Sequence, residues 1–226
     1  MRCEGAFHGC RLLPQGILRG HANHPAIAFM QALTKQDDST TPLISATFPV
    51  KPEHFWTIFS ETFRADWNDS KKQASQFYND AAKWTPYITE FIKNLSARFS
   101  CIAKTEWWPK IDVCYFDRNG GAWEEWALEV AIELENNLNW QEELSKLLAV
   151  NAGLKVLIAY ENEPQRINEV LDQFVRIHGA RKYPTSNCGW LFIFGPRLIP
   201  ASFDFVAFSF DGHAIVDITG SKKTIF

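Results

Sequence analysis

Leu154-Lys-Val-Leu-Ile-Ala-Tyr160 restricts the fold of this chain more than any other stretch. A β-strand sends successive side chains to opposite faces, so an almost unbroken apolar run needs cover on both. A sheet with both faces covered calls for helices. The segment before the run supplies one over Trp140–Val150, with Trp140, Leu144, Leu147 and Leu148 as its apolar stripe. Asn139 and Glu142 stand where a capping box would start it, and Gly153 follows its end. A second helix is predicted from Pro164 to His178, carrying Ile167, Val170, Leu171, Phe174 and Val175. A second buried strand, GWLFIFG, comes next.

Upstream, Tyr87, Ile88, Phe91, Ile92 and Leu95 recur at helical spacing from Pro86 to about Phe99. Pro86 is expected to break any helix before it, including one over Lys71–Lys83. Three strand-like stretches follow: SCIAKTEW, KIDVCYFD and EWALEVAIELE. A further helix is predicted over Pro52–Arg64. Asp211-Gly212 marks a closing hairpin. The expected fold class is α/β, with an α-β-β-β-α-β core and a mixed central sheet over about residues 86–160. A helical N-terminal addition and a C-terminal β-hairpin complete it.

Among 226 residues, 46% are hydrophobic, enough for one sizeable core, expected over residues 41–226. Residues 1–40 are rich in Gly, His and Arg without periodicity and read as a disordered leader. Cys3, Cys10, His21 and His24 within it fit no common zinc spacing. The net charge of −3 leaves nucleic-acid binding to a local patch. Lys71-Lys72, Arg181-Lys182, Arg197 and Lys222-Lys223 are the candidate phosphate contacts. Five scattered cysteines without a CxxC indicate a reducing compartment. With no membrane-length apolar run and no signal-peptide pattern, a cytoplasmic location without a membrane partner is expected. GxSxG, GxGxxG and P-loop motifs do not occur.

The chemistry-bearing feature is Val130-Ala-Ile-Glu-Leu-Glu135. Period-two geometry puts Glu133 and Glu135 on one strand face. Like charges so close repel unless solvent or a cation lies between them. Asp112 heads the preceding strand. If the two strands pair antiparallel, its end of the hairpin is also that of Glu133 and Glu135. A tight turn at Asn119-Gly120 would instead set Asp112 opposite Ala127, so a longer connection including Ala122 and Trp123, or a bulge, is expected.

The element order together with Asp112 and Glu133 resembles the PD-(D/E)xK nuclease superfamily, the restriction-endonuclease-like fold. The resemblance implies a Mg²⁺ or Mn²⁺ cofactor held by Asp112, Glu133 and Glu135. It implies a nucleic-acid partner, DNA before RNA, and a homodimer as the candidate assembly. Two departures stand out. Pro109 is separated from Asp112 by Lys110 and Ile111, and the motif lysine is replaced by Glu135. Some members carry glutamate there, and others take a lysine from the following helix, where Lys146 stands. Glu90, on the helix before the first strand, matches a glutamate that the family often lends to the site. The alternative expectation is an inactive member of that fold serving binding or assembly. A glycosidase-like carboxylate pair, to which nine tryptophans would lend sugar stacking, ranks last, because two glutamates at period two do not bracket a sugar.

Overall fold

Seven strands, hydrogen-bonded in chain order, form one mixed sheet. They are β1 (Cys101–Trp107), β2 (Ile111–Asp117), β3 (Leu128–Glu135), β4 (Leu154–Tyr160), β5 (Gly189–Gly195), β6 (Val206–Phe210) and β7 (Ile215–Asp217). The computed structural model describes residues 49–69, 77–78, 80–107, 110–117, 127–135, 140–180, 188–197 and 205–220. All of these belong to the compact unit Leu43–Phe226. The expected leader, and Cys3, Cys10, His21 and His24 with it, lie outside the described residues. So does most of the helix expected over Lys71–Lys83.

β2 runs antiparallel to both of its neighbours, β1 and β3, while β3, β4 and β5 are parallel, β6 is antiparallel to β5 and β7 to β6. Parallel neighbours need crossover connections, which the helices provide. α1 (Pro52–Asp69) and α2 (Ala81–Leu95) precede β1, α3 (Trp140–Ala149) joins β3 to β4, and α4 (Pro164–Ala180) joins β4 to β5. The chain is thus mixed α/β, with four helices and seven strands among the described residues. No helix among them is long and apolar enough to cross a membrane.

The two sheet faces carry separate cores. On one, Val113, Tyr115, Val130, Ile132, Val156 and Ile158 pack with Phe55, Phe59 and Phe63 of α1 and Ile88 and Ile92 of α2. On the other, Cys114, Ala131, Leu157, Phe192 and Trp190 pack with Leu144, Leu147 and Leu148 of α3 and Ile167, Leu171 and Phe174 of α4. The continuous run of β4 is therefore buried on both sides. Lys155 is the exception within it: its Nζ lies 4.9 Å from the Trp190 ring centroid, a cation–π placement for a buried amine.

The start of α2 corrects the expectation at Pro86. The helix begins at Ala81, where Asp80 caps it by accepting the Ala82 N–H at 3.1 Å. Trp84 is buried in register with Ile88, Ile92 and Leu95, so the apolar stripe starts before the proline. Burial of that stripe outweighs the hydrogen bond that Pro86 cannot donate. α1 likewise runs past Arg64 because Trp67 is buried. The closing hairpin is present, with Gly212 at φ 99° and the Asp211 carboxylate accepting from the His213 and Ala214 backbone.

Candidate metal centre

Asp112 is the second residue of β2. Val113 pairs with Ile132 and Cys114 with Ala131, so one step further sets Asp112 across from Glu133. This is the register of the longer connection, not of a tight turn at Asn119-Gly120. Those turn residues, with Ala122 and Trp123, lie outside the described residues. A bulge between Tyr115 and Phe116 shifts the pairing near the loop. Backbone pairing stops at Val113 and Ile132, and there the Asp112 side chain takes over. Its Oδ2 accepts the Leu134 N–H at 2.8 Å, tying the two strand ends together.

Glu133 points into the face covered by α3 and is fully buried, at 0% exposure. No donor reaches Oε1 or Oε2, and the one side chain within hydrogen-bonding reach is another carboxyl, Glu143. A buried carboxyl without donors is costly if charged, and it answers by holding its proton. Burial first, then the neighbouring Asp112 and Glu143 carboxylates, push Glu133 far above the ordinary carboxylate range. Lys146 opposes them, with its Nζ 3.8 Å from Glu133 Oε2. That is ion-pair distance without hydrogen-bond contact. The Lys146 ammonium itself is bonded to Glu143, one turn back on α3. Burial alone would lower the Lys146 pKa, but Glu143, Glu133 and Asp112 together raise it, so the ammonium stays charged.

Glu135 shares this face and is buried, yet it stands apart. Two residues along a strand amount to roughly 7 Å; in the β4 ladder Glu133 lies beside Leu157 and Glu135 beside Ala159, beyond the last β2 pair, Val113 with Ile132. The expected trio of Asp112, Glu133 and Glu135 therefore does not close on one point. Among the described residues, no three His, Cys, Asp or Glu side chains form a group that could hold a metal ion. Glu90 is a second correction. It sits on α2, over the opposite sheet face, in a surface pair with Lys93 at 2.7 Å. Of the candidate phosphate contacts, Arg197 is bonded to Glu161 at 2.6 Å; Lys71, Lys72, Arg181, Lys182, Lys222 and Lys223 lie outside the described residues.

The assembled centre is thus Asp112, Glu133 and Lys146, with Glu143 as the group that holds the lysine. By spacing alone Glu142 and Glu143, four and three residues before Lys146, are ordinary surface partners for it on a helix. What sets Glu143 here is that α3 lies over the strand carrying Glu133, a tertiary fact. Two carboxylates across a strand pair, one with both oxygens unsatisfied, suit a hard cation that keeps waters and takes its remaining oxygens from a substrate. On that count a Mg²⁺ or Mn²⁺ ion would have two protein carboxylates here, one short of a three-ligand group, and would complete its shell from water and substrate. Compared with known proteins, the chain matches no family model and no curated protein.

Proposed function

We propose that this chain is a Mg²⁺- or Mn²⁺-dependent nuclease of the PD-(D/E)xK type, hydrolysing phosphodiester bonds in DNA in preference to RNA. One observation carries the reading: the fully buried Glu133 carboxyl, which no donor reaches, across from Asp112, beside the Glu143 carboxyl and 3.8 Å from the Lys146 ammonium. A purely structural residue at this position would be apolar or satisfied. The succession of α2, β1, β2, β3, α3 and β4 supports the reading as well, since the resemblance rests on that order.

Asp112 and Glu133 are the residues that would hold the cation, with the Leu134 carbonyl beside them. Such a cation supplies Lewis acidity toward a phosphoryl oxygen and lowers the pKa of water. Lys146 places a positive charge where negative charge develops on the phosphoryl oxygens. Glu143 holds that ammonium in place. Asp112 has a double duty, because the oxygen that bonds Leu134 N–H also fixes the strand end that presents Glu133.

The absence of a three-ligand group among the described residues favours a second reading, an inactive fold of this type used for binding or assembly. Calorimetry with Mg²⁺ and Mn²⁺ separates the two, alongside cleavage assays on single-stranded DNA, duplex DNA and RNA. The nuclease reading expects metal-dependent cleavage that is lost in Glu133→Gln and Asp112→Asn while both variants stay folded. Metal-independent cleavage, or full activity in both variants, overturns it. No metal binding and no cleavage by the wild type leaves the binding-module reading.

A further inference from the structure

A cleft of about 220 Å³ opens at the carboxyl ends of the parallel strands, between α3 and α4. We propose that it takes a single unpaired nucleobase of the substrate strand, next to the phosphate at the Asp112–Glu133 centre. This deepens the nuclease reading and rests on it for the identity of the strand. Ala159 and Tyr160 of β4 and Phe194 of β5 form its floor, Trp140 and Gln141 of α3 one wall, and Arg166, Glu169 and Gln173 of α4 the other. In α/β sheets, ligands bind outside the carboxyl ends of the strands, which is where this cleft lies.

Placement ties the cleft to the centre. Glu135 is two residues beyond Glu133, and its partner across the ladder is Ala159, on the cleft floor. Strand rise and strand spacing put Ala159 roughly 8 Å from Glu133, Cα to Cα. A nucleotide adjoining the cleaved phosphate spans such a gap. The cleft is too small for a duplex and bounded by the flat rings of Trp140 and Phe194, which suits a planar ring.

The lining chemistry selects a neutral ligand over an anion. Glu161 and Glu169 bring two carboxylates to the cleft, and its one lining guanidinium, Arg166, is already paired with Glu163 at 3.0 Å. Glu161 is further committed, since its Oε1 accepts the Asn162 and Glu163 backbone N–H groups and its Oε2 bonds Arg197. These bonds fix that wall. A phosphate would be repelled, whereas the amides of Gln141 and Gln173 each offer a donor and an acceptor, the pairing that a base edge needs.

Neutral 2′-deoxynucleosides test the cleft without engaging the metal centre. Titrated into the full chain without metal and followed by calorimetry, at least one of the four should bind. Gln173→Ala and Trp140→Ala should each weaken that binding by about tenfold, and Asp112→Asn should leave it unchanged. The inference falls if no nucleoside binds at millimolar concentration, or if both cleft variants, folded by circular dichroism, bind like the wild type. Cleavage of DNA without nucleoside binding overturns this inference alone. Nucleoside binding without metal-dependent cleavage keeps the base site and overturns the nuclease reading.

Discussion

Glu133 is a residue that the fold would be more stable without. Its carboxyl is neutral in the folded chain above pH 4.5, where the unfolded chain has released the proton. The folded state then binds more protons, so stability falls as pH rises. The stabilising effect of the retained proton is complete below about pH 4.5 and is lost progressively toward the raised folded value. Glu133→Gln keeps the shape and removes the titration. It is expected to raise metal-free stability at pH 7 by about 1–3 kcal/mol, or roughly 2–4 °C in Tm for each kcal/mol. It should also flatten the difference in stability between pH 5 and pH 8. Denaturant melts of both proteins at those pH values measure this. A lower Tm for Glu133→Gln would mean that the carboxyl is held by contacts that stabilise the fold, and the argument from its unpaired oxygens would fail. Strand period put Glu133 and Glu135 on one face, but nothing local to either residue distinguishes the unsatisfied carboxyl from its neighbour.

At the scale of elements, the join between β2 and β3 decides the centre. Asp112 completes the ladder with a side-chain oxygen, so its two functions separate by substitution. Asp112→Asn retains a carbonyl oxygen for the Leu134 N–H and should change stability by less than about 0.5 kcal/mol. Asp112→Ala leaves that N–H without its acceptor and should cost about 1–2 kcal/mol. Both should lose Mg²⁺ affinity in calorimetry. Equal stability of the two variants would show that the hydrogen bond contributes nothing to the strand end. The register itself was legible only as a choice. Asn119-Gly120 is a strong local turn signal, and a tight hairpin there would have set Asp112 against Ala127. The observed pairing of Val113 with Ile132 is shifted six residues from it, and an even shift leaves every side chain on its own face, so facing alone does not choose between the two registers and the tertiary pairing does. Pro86 teaches the same lesson in a helix, where the buried Trp84 stripe overrides a local breaker.

Across the whole molecule, two cores hold one sheet, and the centre lies on the side covered by α3 and α4. Phe174 of α4 meets the rings of Trp190 and Phe192, each at 4.8 Å, and of Phe210 at 5.1 Å. Phe174→Ala is expected to cost about 3–5 kcal/mol, read from urea unfolding. A loss below about 1 kcal/mol would mean that this face repacks freely. Ligand linkage supplies a global readout of the centre. If Asp112 and Glu133 bind Mg²⁺ in the folded state alone, wild-type Tm rises with Mg²⁺ concentration by mass action, and Glu133→Gln does not respond. A Tm that ignores Mg²⁺ and Mn²⁺ in the wild type would remove the metal from the account.

The sequence by itself determined the elements and their faces. Period-two alternation put Glu133 and Glu135 together on β3, the doubly apolar run of β4 demanded cover on both sides, and helical stripes supplied that cover. These are local consequences of backbone geometry, readable within a dozen residues. Tertiary structure decided which of those groups meet. The distance between Asp112 and Glu133 depends on strand register, and the approach of Lys146 on where α3 settles over the sheet. The separations of Glu135 and Glu90 from the centre depend on strand rise and on which face α2 covers. Such placements follow from packing summed over the whole core, because a side chain reaches only what the buried face lets stand beside it.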